Sequence, residues 1–143
     1  MKTLQECYRI AQQENITVDH FALSGREALS IMDDDGTCFI AIDPQKLKNE
    51  ADERTKLAHE LGHCVTGAFY NRYSAYDLRQ RHENRADRWA IGKLVPVDDL
   101  DDAVAEGCTE LWELAERFGV TEGFMKKAVC LYVHGNVAEE LYF

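Results

Sequence analysis

Residues 59–63 read His59-Glu60-Leu61-Gly62-His63, and the spacing of these two histidines constrains the chain more than any other feature. On an α-helix, positions i and i+4 stand one above the other on the same face. Both imidazoles can therefore reach one ion, while Glu60, about a third of a turn away, reaches a water on that ion. Two neutral nitrogen ligands beside a carboxylate base are what a zinc hydrolase needs. The same motif dictates part of the fold. Two histidines do not complete a zinc site, so a third protein ligand must come from another element packed across the motif helix.

Hydrophobic periodicity supplies the elements. Leu4, Cys7, Tyr8, Ile10 and Ala11 recur at helical spacing, so residues 3–14 read as an amphipathic helix. The apolar runs 27–32 and 37–43 flank Asp33-Asp34-Asp35-Gly36, an Asp-Gly turn that predicts a β-hairpin. The acidic strip in that turn lacks the remaining ligands of a calcium loop and reads as a solvated turn. Pro44 ends the second strand, and a helix then carries the motif from about 50 to 68. Residues 69–78 read as a connecting loop, followed by a helix over 79–94 that stops before Pro96. Asp98 and Asp99 open a short helix; two more span 109–118 and 121–134, with Thr121 as an N-cap. The expectation is an α+β fold, a small N-terminal antiparallel sheet packed on a helical zincin-type core, organised as one domain over 1–143.

Composition bounds the partners. A chain of 143 residues with 45% hydrophobic content suits one core. Its net charge of -10, from 26 acidic and 16 basic residues, repels phosphate backbones, so a basic protein segment is a better partner than nucleic acid, although for charge alone plain solubility is the better reading. Cys7, Cys38, Cys64, Cys108 and Cys130 are odd in number and scattered, with no C-x-x-C pair. They argue against a disulfide framework and for a reducing compartment, with Cys64 as a small core residue. The first nine residues hold no apolar signal region and no stretch reaches membrane-spanning length, so a cytoplasmic location is expected.

For the third ligand, a metzincin pattern would require Gly at 66 and His at 69; Thr66 and Phe69 stand there. Glu83, 20 residues after His63 on the second long helix, is the favoured candidate, and Asp87 lies one turn beyond it on the same face. A carboxylate at 87 could accept a hydrogen bond from the far nitrogen of a ligating histidine and fix its orientation. This Glu-x-x-x-Asp spacing resembles that of gluzincin metallopeptidases. His82 is the competing ligand, and choosing it leaves Asp87 without a role. The bland alternative pairs Glu83 and Asp87 with Arg79, Arg85 or Arg88 on a charged surface. It does not explain why apolar Leu57, Ala58, Leu61, Cys64 and Val65 surround the histidines, since buried ionisable groups need partners.

Arg54-Thr55-Lys56-Leu57-Ala58-His59-Glu60-Leu61-Gly62-His63, the run from Glu83 to Pro96 with Ala86, Asp87, Trp89, Ala90 and Leu94, and Leu114-Ala115-Glu116-Arg117-Phe118-Gly119-Val120-Thr121 together resemble the signatures of the ImmA/IrrE zinc metallopeptidases. These proteins are often carried by phages and mobile elements. The resemblance implies that His59, His63 and Glu83 bind zinc and that Glu60 is the base. It further implies an intracellular endopeptidase whose substrate is a transcriptional repressor. Tyr70, Tyr73, Tyr76 and His82 are the candidate donors to the developing oxyanion. Two rivals stand beside this reading. One is a zinc-stabilised module that binds and sequesters a repressor without cutting it. The other is a DNA-binding regulator using residues 111–132, where Lys126 and Lys127 would face DNA among apolar neighbours.

Overall fold

The computed structural model describes residues 3–69 and 74–135. Its elements are α1 (Leu4–Gln13), β1 (Thr17–His20), β2 (Ala28–Met32), β3 (Cys38–Ile42), α2 (Glu50–Thr66), α3 (Tyr76–Leu94), α4 (Val97–Ala105), α5 (Leu111–Phe118) and α6 (Glu122–His134). This is the expected α+β architecture, a small sheet near the N-terminus followed by helices. The hairpin forms where the Asp-Gly turn places it, with the Asp33 and Thr37 backbones bonded across it and β2 antiparallel to β3.

The sheet is mixed, however, and not purely antiparallel. Its order is β1-β3-β2, with β1 parallel to β3. Thr17-Val18-Asp19-His20 carries one apolar residue and no alternation, so nothing in its composition announces a strand. Pairing with β3 creates it, Thr17 standing opposite Phe39 and His20 opposite Ile42. That leaves β2 as a free edge beside α2. A second difference is the start of α3 at Tyr76, three residues earlier than periodicity suggests, because residues 76–78 expose their side chains and show no apolar stripe.

One face of β3 presents Cys38, Ile40 and Ile42 to the core, where Leu57, Ala58 and Leu61 of α2 and Ile91 and Leu94 of α3 meet them. Asn49 caps α2 by accepting the Asp52 backbone N–H, as Asn does at N-cap positions. Arg54, only 2% exposed, donates to the carbonyl oxygens of Phe118 and Gly119. A buried guanidinium thus satisfies the C-terminal carbonyls of α5, which attract cations. Beside it the Thr55 hydroxyl accepts the Thr121 backbone N–H, so the start of α2 fixes the turn between α5 and α6. Among the described residues no helix is long and apolar enough to cross a membrane.

The cysteine expectation fails at one pair. Cys38 of β3 and Cys64 of α2 form a disulfide, while Cys7, Cys108 and Cys130 are not disulfide-bonded. Scatter along the sequence hid a pair that folding brings to a Cα separation of 5.8 Å, well inside bonding range. Cys64 is buried as expected, but as half of a cross-link, and the cysteines no longer argue for a reducing compartment.

The helices α2 and α3 approach each other closely at Gly62. A Cβ added to Gly62 would lie 2.5 Å from the Ala86 carbonyl oxygen, a distance that backbone atoms cannot yield to. Only glycine lets the two helices approach this closely.

Two outcomes are expected. Gly62→Ala should destabilise the protein by about 1–2 kcal/mol, the overpacking cost exceeding the gain in helix propensity; urea unfolding checks this. Under denaturing, non-reducing conditions a thiol reagent should count the three cysteines outside the disulfide, rising to all five after reduction. Reduction should lower the unfolding free energy by about 3 kcal/mol for a cross-link of this span.

Candidate metal centre

Gly62 and Ala86 mark where α2 and α3 touch, and the polar residues around that contact face one another. His59 and His63 come from α2 and Glu83 from α3; one ligand atom from each lies within 4.8 Å of the others. His59 Nε2 is 2.8 Å from Glu83 Oε2 and 3.2 Å from His63 Nε2, and His63 Nε2 is 3.3 Å from Glu83 Oε1. Four-coordinate zinc with ligand bonds of about 2.0–2.1 Å spaces its donors about 3.3 Å apart, so these separations suit one ion.

The outer nitrogens are both committed. His59 Nδ1 lies 2.7 Å from Asp87 Oδ1, and Asp87 is itself buried. His63 Nδ1 meets the Ala68 carbonyl oxygen, which can only accept, so that nitrogen carries the proton. Local structure places this acceptor. Gly67 adopts a left-handed conformation (φ 69°) that ends α2, and the turned chain bonds the Ala68 N–H to the His63 carbonyl while bringing the Ala68 oxygen to the Nδ1 edge of the ring. With Nδ1–H donating on both rings, each neutral imidazole aims its Nε2 lone pair at the other and at the Glu83 carboxylate. Three donors converging in this way need a cation between them, and the set fits zinc.

In the absence of an ion a proton serves. Burial opposes charge on His59, but its hydrogen bonds to Asp87 and Glu83 outweigh that and hold the imidazolium up to about 10. His63 is raised as well; burial opposes this, and the Glu83 and Ala68 contacts prevail.

Glu60, the residue after His59, turns toward the sheet. Its Oε1 accepts a 2.6 Å hydrogen bond from the Ser30 hydroxyl of β2. Glu60 and Glu83 together line two cavities, one shared with His63 and the other with His59. The first, about 340 Å³, adds Arg26, Ser30, His63, Phe69 and Arg79; the second, about 580 Å³, adds His59, Asp52, Lys56, Asp87 and Lys127. Lys127 of α6 reaches Asp87 Oδ2 at 3.3 Å.

The structure thus brings together His59, Glu60, His63, Glu83 and Asp87. His82, the competing ligand, is not in the metal-ligating group found among the described residues. Of the candidate oxyanion donors, Tyr76 is 77% exposed and neither it nor His82 lines the two cavities; Tyr70 and Tyr73 lie outside the described residues. Sequence reasoning missed three contacts. The Ala68 carbonyl carries no side-chain signal. Lys127 stood out only as a cation on a helix weighed for DNA. Ser30 was readable as the one polar residue in an otherwise apolar strand.

Linkage fixes the pH behaviour. Because the folded-state value for His59 lies above its ordinary 6.5, the metal-free protein should hold that contribution below about pH 6.5 and lose it as pH rises toward 10. Zinc-loaded protein should lack this decline, and zinc uptake near pH 7 should release about one proton or more. Thermal melts across the range and calorimetry in two buffers of different ionisation enthalpy check the two parts.

Residues 11–129 match the family model for Peptidase M78, described as the IrrE N-terminal-like domain. A comparison with curated proteins finds no match. The family match spans most of the 143 residues and takes in α2 and α3 whole, together with the sheet beside them; the chain belongs to the IrrE N-terminal-like family of peptidases.

Proposed function

We propose that the protein is a zinc-dependent endopeptidase in which His59, His63 and Glu83 hold the metal, Glu60 is the general base and Asp87 orients His59. The observation that carries this reading is the position of Glu60. A site that only stabilised a fold would have no use for a carboxylate in the mouth of the cleft beside the ligands. Zinc held by these three donors would supply an electrophile for the peptide carbonyl and a water of lowered pKa. Glu60, beside the three donors, would accept a proton from the attacking water and pass it to the leaving amine. Asp87 keeps the His59 ring turned with Nε2 inward, and Lys127 holds Asp87 from the far side. Cavities beside His63 and beside His59 leave room for chain before and after the cut bond, which favours internal cleavage over trimming of ends.

The substrate we infer is a helix-turn-helix transcriptional repressor, the class that the family resemblance implies. A repressor-sequestering module shares every ligand and is separated from a peptidase by chemistry alone. The DNA-binding alternative fits the packing poorly. Phe124, Met125 and Ala128 of α6 are buried in the core and Lys127 is engaged with Asp87, which leaves that helix little to offer a groove.

Zinc-loaded protein incubated with the repressor encoded beside its gene should yield two complementary fragments by mass spectrometry. Glu60→Gln should retain zinc and cut at least about 100-fold more slowly. Equal cleavage by Glu60→Gln overturns the role of Glu60; stable binding without fragments by the parent protein selects sequestration.

A further inference from the structure

We propose that Ser30 is the positioning residue for the base, holding the Glu60 carboxylate in its working orientation from the edge strand of the sheet. The inference rests on the reading of Glu60 as base and adds a residue that the metal motif does not contain.

It starts from a break in pattern. Residues opposite each other on paired strands share a face, and Ser30 stands opposite Ile40, which is 2% exposed and points into the core. Ala28 and Met32 share that face with Ser30, while Leu29 and Ile31 lie on the other. On the outer side Ile31 is exposed opposite an exposed Phe39. The strand therefore carries its polar residue inward and an apolar one outward, the reverse of what burial favours. Such inversions concentrate at functional sites.

Across from Ser30, its hydroxyl donates to Glu60, at 2.6 Å to Oε1. A glutamate has three side-chain torsions, and an untethered carboxylate at a cleft mouth spends most of its time away from any one orientation. The bond from Ser30 fixes Oε1 against the sheet, in the wall of the cleft that both residues line. Orientation of the base in advance is a recognised source of rate, and loss of an equivalent outer contact costs about 10- to 100-fold. Ser30 is not in the ligand group of His59, His63 and Glu83 found among the described residues, so its effect should fall on turnover and not on metal retention.

Ser30→Ala is compared with Ser30→Thr, which keeps a hydroxyl and suits a strand, on the same repressor substrate. Expected for Ser30→Ala are a fall in kcat of about tenfold or more, unchanged KM, and unchanged zinc per chain; Ser30→Thr should recover most of the kcat. A raised KM with normal kcat would instead make the hydroxyl a substrate contact and overturns the proposal, as does Ser30→Ala activity equal to the parent. Independently of activity, metal-free Ser30→Ala, Glu60→Ala and the double variant are melted. A double variant whose midpoint shift falls short of the sum of the single shifts supports the coupling; additive shifts refute it. If Glu60→Gln proves fully active, the peptidase reading of Glu60 fails, whereas a dead Glu60→Gln beside an unaffected Ser30→Ala rejects only the role of Ser30.

Discussion

Everything at the candidate metal centre depends on the approach of two helix backbones at Gly62 and Ala86. His59 and His63 stand three residues before and one after Gly62; Glu83 and Asp87 stand three before and one after Ala86. On each helix those two offsets differ by four, so they stack on the face that meets the partner. A single contact with no side chain between the helices therefore sets four polar residues opposite one another. Wider spacing would leave Glu83 short of the imidazoles and Asp87 short of His59 Nδ1. The ligand geometry is a consequence of helix packing, and the smallest residue in the motif is the one that decides it.

That packing alone would bury charge at a cost. The compensation is directional. Asp87 and the Ala68 carbonyl each take one Nδ1–H, and Lys127 returns a positive charge to Asp87. Each inner group is held by an outer one from a different part of the chain: the end of α2, the middle of α3, the face of α6. Arg54 and Thr55, one turn before His59, secure the α5–α6 turn. The early residues of the motif helix thus anchor the C-terminal helices, including the one that supplies Lys127.

The parts legible in the sequence were those governed by local periodicity or fixed spacing. The motif helix, the Thr121 cap of the last helix, the hairpin turn and the helix carrying Glu83 and Asp87 all follow from i, i+4 geometry, cap preference and turn chemistry. What stayed hidden is governed by tertiary pairing. Thr17–His20 becomes a strand because β3 offers it a parallel edge, not because of its own residues. Cys38 and Cys64 are 26 residues apart, and no rule of spacing links a strand cysteine to a helix cysteine. The Ala68 carbonyl acts through backbone alone, and any residue at 68 would have given the same reading.

The motif helix is held along two stripes, and the two have different chemistry. Lys56, Glu60 and Cys64 recur every four residues, and each reaches the region of the β2–β3 hairpin: Lys56 pairs with Glu27 at 2.6 Å, Glu60 bonds Ser30 at 2.6 Å, and Cys64 is cross-linked to Cys38. His59, Gly62 and His63 form the neighbouring stripe, which faces α3. An ion pair, a hydrogen bond and a covalent bond thus fix one side of α2 to the sheet, while close backbone packing fixes the other to the ligand helix. The base belongs to the first stripe and the ligands to the second. The two halves of the proposed chemistry are therefore supported by separate neighbours. A change in the hairpin can disturb the orientation of Glu60 while leaving the three donors where they are, and a change in α3 can remove the donors while Glu60 remains tied to the strand. Independent support of this kind is what allows binding of metal and transfer of the proton to be perturbed one at a time.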